Sequence, residues 1–176
     1  DFYTGYISEI NLALKSWIKL LANNLQQGAI ILLDYGYSRT EYYTPARHGG
    51  SLKCFYRQQA HENPLCNIGL QDITAHVDFS TVAESALENN LDLLGFCEQG
   101  HLLLNLGLLE IAEKSFAQNP LQIAKEVKLL TMPQHMGSVM KGIALGKNIA
   151  KGDISGFENY NKVESLFDHR NKKSHA

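Results

Sequence analysis

The stretch Gly28-Ala29-Ile30-Ile31-Leu32-Leu33-Asp34-Tyr35-Gly36 decides the fold of this chain. Five apolar residues follow one another without the alternation of a half-solvated strand, and the turn-forming Asp34 and Gly36 come directly after them. Such a run is typical of a buried parallel strand that helices cover on both faces. Strands of this kind end where α/β proteins bind their ligands. We therefore predict an α/β fold in which this strand delivers polar residues to a crevice.

The segments on either side of the strand fit this interpretation. A helix is predicted from an N-cap at Ser8 to a stop at Gly28, because apolar residues recur there at helical spacing: Ile10, Leu14, Trp17, Leu21 and Leu25. Residues 37–71 are rich in turn formers and are predicted to form an insertion, a lid or binding loop, with a short strand or hairpin arm at 52–56.

The remaining chain continues the alternation of helices and strands. We predict a helix capped by Ser80 or Thr81, with a capping box between Thr81 and Glu84. The elements predicted after it are a strand at 91–97, helices at 101–116 and 119–130, and a strand at 137–146. Residues 1–150 then form one domain, and 151–176 form a polar tail whose last residues are expected to fray.

Composition narrows the functional classes. The 176 residues carry 16 basic and 18 acidic side chains, a net charge of −2, which gives no whole-chain attraction to nucleic acid or anionic membranes. The three cysteines lie far apart and the histidines lack metal spacing, so we predict neither a disulfide framework nor a metal site. No stretch reaches the roughly 20 apolar residues of a membrane span. We expect a reducing compartment and no nucleic-acid or membrane partner.

Two places carry groups suited to chemistry. Asp34 stands where the strand should end, so its carboxylate could face a cofactor, a substrate or a metal, or could accept hydrogen bonds from nearby turn amides. His76 and Asp78 lie just before a predicted helix, where acid–base groups concentrate and where helix-capping residues also occur. The sequence leaves both alternatives open at both places.

The insertion also mixes basic and aromatic residues, among them Tyr37, Tyr42, Tyr43, Arg39, Arg47 and Arg57. Such a mixture can stack on bases and neutralise phosphates of RNA. We favour the simpler interpretation, in which the tyrosines fix an irregular loop and the arginines form ion pairs with Glu41 and Glu62.

Five ordered segments between residues 30 and 141 resemble the MidA-like methyltransferases, which depend on S-adenosylmethionine. They are Ile30-Ile31-Leu32-Leu33-Asp34-Tyr35-Gly36-Tyr37, Arg47-His48-Gly49-Gly50-Ser51-Leu52, Gly69 to Ser80, Glu98 to Leu109, and Met136 to Lys141. The resemblance implies a class I, Rossmann-like sheet of seven strands. The strands of this chain would be the fifth, sixth and seventh, with the seventh antiparallel between the other two.

The family's glycine-rich cofactor loop, acidic ribose-binding residue and Asn-Glu segment have no counterpart in this sequence. The resemblance therefore implies the C-terminal half of an enzyme, with the S-adenosylmethionine site mainly elsewhere and no identifiable cofactor-binding residue here. The mitochondrial relative in this family is a complex I assembly factor that methylates a protein arginine. We accordingly expect a protein substrate with a target arginine, in the bacterial cytoplasm or the mitochondrial matrix.

The resemblance assigns roles as hypotheses. Asp34, His76 and Asp78 would be catalytic, and Tyr35 and Arg47 would bind the substrate. A first strand that lacks a neighbour on one side would also favour a homodimer through that edge. The alternative to an enzyme is a non-catalytic interaction module of an assembly factor, binding through the insertion and the Leu-rich 101–111 segment.

Overall fold

The computed structural model describes residues 4–117 and 119–167, apart from the side chain of Phe116. The α-helices are α1 (Leu14–Asn24), α2 (Arg39–Tyr42), α3 (Phe79–Glu88), α4 (Gln99–Asn105), α5 (Leu108–Phe116) and α6 (Pro120–Thr131). The strands are β1 (Gly28–Tyr37), β2 (Lys53–Tyr56), β3 (Gln59–His61), β4 (Asp72–Thr74), β5 (Val77–Asp78), β6 (Asp92–Glu98) and β7 (Met140–Lys147). Short 3₁₀ turns occupy Pro45–Arg47, Lys151–Asp153 and Val163–Leu166.

The main sheet is mixed and has the strand order β5-β1-β7-β6. β7 runs antiparallel between β1 and β6, as the family resemblance implies, with Ile143 opposite both Leu32 and Phe96. β5 pairs in parallel with only the last two residues of β1. Within the described residues, 28–35 therefore have an open edge on that side of β1. The open edge predicted for this strand is present, and dimerisation through it stays a prediction.

One face of the sheet carries the larger core. α1 and α3 pack on it, and the side chains of Ile18, Phe79, Val82, Ile143 and Leu145 are at most 1% exposed. Each such side chain stabilises the fold by about 1.5–3 kcal/mol relative to an exposed position. This core holds β1 against α1 and α3 and so fixes the position of the residues at the end of β1.

The prediction that helices cover β1 on both faces is wrong for the described residues. The second core, formed by Leu94, Cys97, Leu102, Ala144 and Phe157, lies over β6 and β7. It does not extend to β1, where Ile31 and Leu33 are 58% and 45% exposed. A continuous apolar run shows that both faces can be buried, but it does not supply the element that buries them.

The predicted start of the first helix at Ser8 is also wrong. α1 begins at Leu14 and buries Leu14, Ile18 and Ala22, while Ile10 and Trp17 are exposed. Residues before it are held by long-range contacts instead, since the Ile7 amide donates to the His48 carbonyl at 3.0 Å. Helical periodicity continued into this segment, but the contacts with the insertion override it.

The insertion forms a second sheet with the order β3-β2-β4. β2 lies where the sequence predicts a hairpin arm, and its Cys54 is buried between His61 of β3 and Ile73 of β4. Because β4 returns to pair with β2, the inserted unit extends to Thr74 rather than residue 71.

The C-terminal third follows the predicted order with one break. The predicted helix at 101–116 is divided into α4 and α5 at Gly107, which has a φ of +82°. α6 begins as predicted, with the Asn119 side chain accepting a hydrogen bond from the Gln122 amide. Phe157 and Leu166 of the predicted polar tail are buried against the sheet. Residues 168–176, where fraying is expected, lie outside the described residues, as do His169 and His175.

Candidate functional site

The end of β1 places Asp34 at a polar edge of the main sheet. Asp34 lies opposite Lys141 of β7, and Lys141 lies opposite Glu98 of β6. Directly opposed residues of antiparallel strands project to the same face, so these three charges form one cross-strand row. Asp34 is exposed, and its Oδ1 accepts a hydrogen bond from the Tyr35 amide at 2.7 Å. Lys141 is buried, and its Nζ donates to the Ser138 carbonyl.

His76 is held by its main chain beside two tyrosine rings. Its amide donates to Ser51 Oγ at 2.9 Å, and its carbonyl accepts from Tyr42 Oη at 3.0 Å. The imidazole stacks on Tyr35 with 6.5 Å between ring centroids and meets the edge of Tyr37 at 5.2 Å. Nδ1 is buried and has no hydrogen-bond partner among the residues that the structure describes. An unpartnered buried nitrogen is costly to folding, which is a reason to look for a functional role.

The environment of His76 favours the neutral ring. Burial lowers the pKa of His76, and the positive charges of Arg47 and Lys141 lower it further. Glu9 and Asp34 act in the opposite direction and are too weak to reverse the shift. A neutral imidazole has one nitrogen that can accept a proton. His76 is therefore suited to act as a base near neutral pH.

Arg47 contacts the aromatic part of the same cluster. Its guanidinium carbon lies 3.7 Å from the centroid of the Tyr37 ring, and Lys141 Nζ lies 5.5 Å from that centroid. Arg47 also donates to the carbonyl of Glu41. The predicted substrate residues Tyr35 and Arg47 thus both lie in the neighbourhood of His76.

Asp78 has a different set of partners. It is the N-cap of α3, and its Oδ1 accepts from the amides of Ser80 and Thr81 at 3.0 and 3.2 Å. Its Oδ2 accepts from Thr81 Oγ1 at 2.8 Å and lies 3.5 Å from Arg39 Nε. These contacts occupy the carboxylate in the capping turn and correct the prediction that Ser80 or Thr81 is the cap. The catalytic role assigned to Asp78 stays a prediction.

Glu84, the other half of the predicted capping box, binds Arg39 instead. The two guanidinium nitrogens lie 2.7 and 2.6 Å from its carboxylate oxygens. The predicted arginine partners Glu41 and Glu62 do not form these ion pairs, and Glu62 binds Lys53. The tyrosines do fix the loop, as Tyr42 shows through its contacts with Ser51 and His76.

Two cavities of about 320 Å³ each border this region. His76 and Asp78 line one of them together with Tyr43, and Asp34 lines the other together with Trp17 and Ile31. The structure thus brings His76 and Asp78 to one cavity and places Asp34 in the next. Among the described residues, no three His, Cys, Asp or Glu side chains gather as metal ligands.

Sequence reasoning missed Lys141 as a member of the cluster. No local pattern marks it, and only the antiparallel register of β7 places it opposite Asp34. Glu9 was missed as well, because its helical context suggested an exposed position in the first turn of a longer helix. Its contacts with the insertion are visible only in the tertiary structure.

A family model described as "Putative S-adenosyl-L-methionine-dependent methyltransferase" (Methyltransf_28) matches residues 1–97, more than half of the chain. The chain belongs to this family. The cofactor of this family is the predicted S-adenosylmethionine. No curated protein matches the chain significantly in sequence.

Solved structures support the same assignment. One is a superfamily member and candidate methyltransferase from Burkholderia thailandensis bound to S-adenosyl-homocysteine, with 34% identity and a TM-score of 0.85 over 92% of this chain. A second, native structure of an uncharacterized protein from the same organism has the same identity, TM-score and coverage. The chain spans 42% and 44% of the lengths of these two proteins. Its mixed α/β sheet matches theirs.

The described residues do not by themselves fit an adenosine cofactor. Such cofactors bind α/β sheets at glycine-rich turns between a strand and a helix, where the main chain approaches the ligand closely. In the described part of this chain, the residues preceding the helices that follow strands are Ser38 at α2, Asp78 at α3 and Glu98 at α4. None of these three residues is a glycine, so the described residues contain no glycine-rich turn of that kind after a strand. Within the same residues, no helix has the length and apolar character needed to cross a bilayer.

Proposed function

We propose that this chain forms the methyl-acceptor side of an S-adenosylmethionine-dependent protein-arginine methyltransferase of the MidA-like group. The observation that carries the proposal is the half-buried imidazole of His76 beside Tyr35 and Tyr37, whose buried Nδ1 has no hydrogen-bond partner among the described residues. Membership of the methyltransferase family supplies the reaction class. The resemblance to the MidA-like enzymes supplies the arginine.

An arginine side chain needs a proton acceptor before or during methylation, because its guanidinium is protonated in water. His76 can take that proton on its neutral imidazole ring. Its lowered pKa keeps it unprotonated and available at neutral pH. Arg47 and Lys141 contribute to this indirectly, because their charges disfavour a second positive charge on the ring.

Orientation of the substrate is the second requirement. Asp34 is exposed and can accept hydrogen bonds from a planar guanidinium, which pairs well with carboxylates. The rings of Tyr35 and Tyr37 offer faces on which a cation can stack, as Arg47 already does on Tyr37. The proposed substrate therefore meets a carboxylate, an aromatic face and a base.

The test uses the gene product that contains this chain, S-adenosylmethionine and peptides that differ only by Arg or Lys at one position. We expect mass spectrometry to show 14 Da additions on the Arg peptide. His76→Gln should lower the rate about 100-fold or more, as expected for removal of a general base. Asp34→Asn should mainly weaken binding of the Arg peptide.

Exposed residues of the same types serve as matched controls. His135→Gln and Asp92→Asn change exposed side chains and should leave the rate unchanged. Equal activity of the His76→Gln and wild-type proteins would refute the role of the base. Methylation of the Lys peptide at the same rate would refute the arginine assignment.

One observation favours the non-catalytic alternative. α5 and α6 expose Leu109, Ile111 and Leu121 to 55%, 61% and 77%, and neither helix has a fully buried residue among those described. Exposed apolar side chains in a patch often mark contacts with other proteins. An interaction module predicts that Leu109→Asp and Ile111→Asp abolish partner binding in a protein that transfers no methyl group. Methyl transfer by the wild-type protein would overturn it.

A further inference from the structure

Glu9 binds a turn of the insertion with both oxygens of its carboxylate. Oε1 accepts from the amides of Ser51 and Leu52, each at 2.7 Å. Oε2 accepts from Ser51 Oγ at 3.2 Å and from Tyr42 Oη at 3.3 Å. Four donors from residues that are 33 to 43 positions away in sequence therefore converge on one side chain.

The turn is shaped around this carboxylate. Gly50 has a φ of +77°, and a Cβ at that position would overlap Glu9 Oε1. Burial acts to raise the pKa of Glu9, but the hydrogen bonds from Leu52 and Ser51 outweigh it and keep the pKa below its usual value. Glu9 is thus a bound carboxylate and not a surface charge that happens to lie nearby.

The two hydroxyls that bind Glu9 are also the ones that hold His76. Ser51 Oγ accepts from the His76 amide at 2.9 Å, and Tyr42 Oη donates to the His76 carbonyl at 3.0 Å. Ser51 Oγ and Tyr42 Oη are themselves 3.1 Å apart. Glu9 is therefore linked to both main-chain groups of His76 through one hydroxyl each. Ser51 Oγ connects it to the amide, and Tyr42 Oη connects it to the carbonyl.

We propose that Glu9 is a positioning residue for His76, acting through Ser51 and Tyr42. The inference rests on the proposed function, in which His76 is the base. It adds a residue outside the reacting cluster, contributed by the extended segment before α1. In this arrangement the N-terminal segment and the insertion must be docked together for His76 to face the acceptor.

The hydrogen-bond directions show what Glu9 contributes. Tyr42 has one hydroxyl proton, which the His76 carbonyl and the Glu9 carboxylate share, and Ser51 has one, which the Glu9 carboxylate accepts. An alanine at position 9 leaves the Ser51 and Leu52 amides without their acceptor and frees the turn. A glutamine can keep the shape of the network, because its amide nitrogen can donate to both hydroxyls, but it removes the negative charge.

The two substitutions therefore separate geometry from charge. The charges that act on the His76 ring are Arg47 and Lys141 on the positive side and Glu9 and Asp34 on the negative side. Glu9→Ala should lower kcat about 10- to 100-fold by displacing the base, with KM for S-adenosylmethionine unchanged. Glu9→Gln should retain most of the activity at neutral pH. Its acidic limb of the pH–rate profile should move to lower pH, because one of the charges that raise the His76 pKa is gone.

The experiment measures kcat, KM and the pH–rate profile of the gene product that contains this chain, with an arginine peptide as acceptor. Glu88→Gln is the matched control, because Glu88 is exposed and pairs only with Lys15 among its ion-pair contacts in the described residues. Circular dichroism establishes that each variant is folded. If Glu9→Ala does not fold, Ser51→Ala replaces it with the same expected loss of kcat, because it removes the hydroxyl that links Glu9 to the His76 amide.

The outcomes distinguish the two proposals. A wild-type protein that does not methylate arginine peptides overturns the proposed function. An active wild type whose folded Glu9→Ala variant keeps its kcat overturns the positioning role and leaves the proposed function intact. A folded Ser51→Ala variant that keeps its kcat overturns the positioning role in the same way. A lowered kcat in Glu9→Ala with a shifted limb in Glu9→Gln supports it.

Discussion

The substitution Gly36→Ala tests how tightly β5 and its neighbour His76 are fitted to the end of β1. Gly36 lies opposite Val77 in the only stretch where β1 and β5 pair. A Cβ on Gly36 would overlap the Val77 carbonyl oxygen and would lie 2.7 and 2.9 Å from two ring carbons of Phe79. Phe79 is 1% exposed and cannot swing into solvent. The methyl group therefore has to displace the main chain of β5 or the buried ring.

The size of the displacement gives the expected cost. Carbon atoms pack at about 3.5–4.0 Å, so the ring or the strand must move by roughly 1 Å. Overpacking of this kind lowers the free energy of unfolding by about 1–3 kcal/mol. We expect the upper end of this range, because the Val77 carbonyl oxygen belongs to the main chain and cannot rotate away. At about 2–4 °C per kcal/mol for a chain of this size, Tm should fall by roughly 6–12 °C.

The assay is thermal unfolding followed by circular dichroism, with Gly152→Ala as the matched control. A Cβ at Gly152 meets no atom within 4 Å, so that variant should remain within about 0.5 kcal/mol of the wild type. Methyl transfer should fall further than stability alone explains, because β5 follows His76 directly. A Gly36→Ala protein with the Tm of the Gly152→Ala control would refute the tight fit at this junction.

Three further predictions concern the same region. Asp78→Ala removes the N-cap of α3 and should lower the free energy of unfolding by about 0.5–2 kcal/mol in urea titrations, whereas no change would contradict the capping role. Cys66 is partly exposed, and its Sγ lies 3.5 Å from His61 Nδ1, so a thiol reagent should label it in the native protein. The same reagent should label Cys54 and Cys97, which are fully buried, only after unfolding. Because the pKa of His76 in the folded protein lies below its usual 6.5, the unfolded chain binds that proton more tightly. The free energy of unfolding should therefore fall as the pH drops through about 6.5, and His76→Gln should flatten that part of the pH dependence.

Local signals predicted most of the secondary structure. The apolar run of β1, the alternating residues of β2 and the cap at Asn119 each lie within a few residues of the element they specify, and all three elements form. The start of α1 could not be predicted in this way, because the residues before it bind the insertion rather than the helix. For the candidate site, the positions of Asp34 and His76 at element ends made them candidates, while no local signal pointed to their partners.

The sequence by itself determined the α/β class, the order of the elements and, through a resemblance, membership of a methyltransferase family. Tertiary structure alone decided that β1 is covered on one face in the described residues and that Glu9, Ser51 and Tyr42 surround the His76 main chain. The physical reason is the range of the interactions. Helix caps and strand patterns depend on neighbours in the chain, whereas cross-strand register and convergent hydrogen bonds join residues such as Asp34 and Lys141, which only folding brings together.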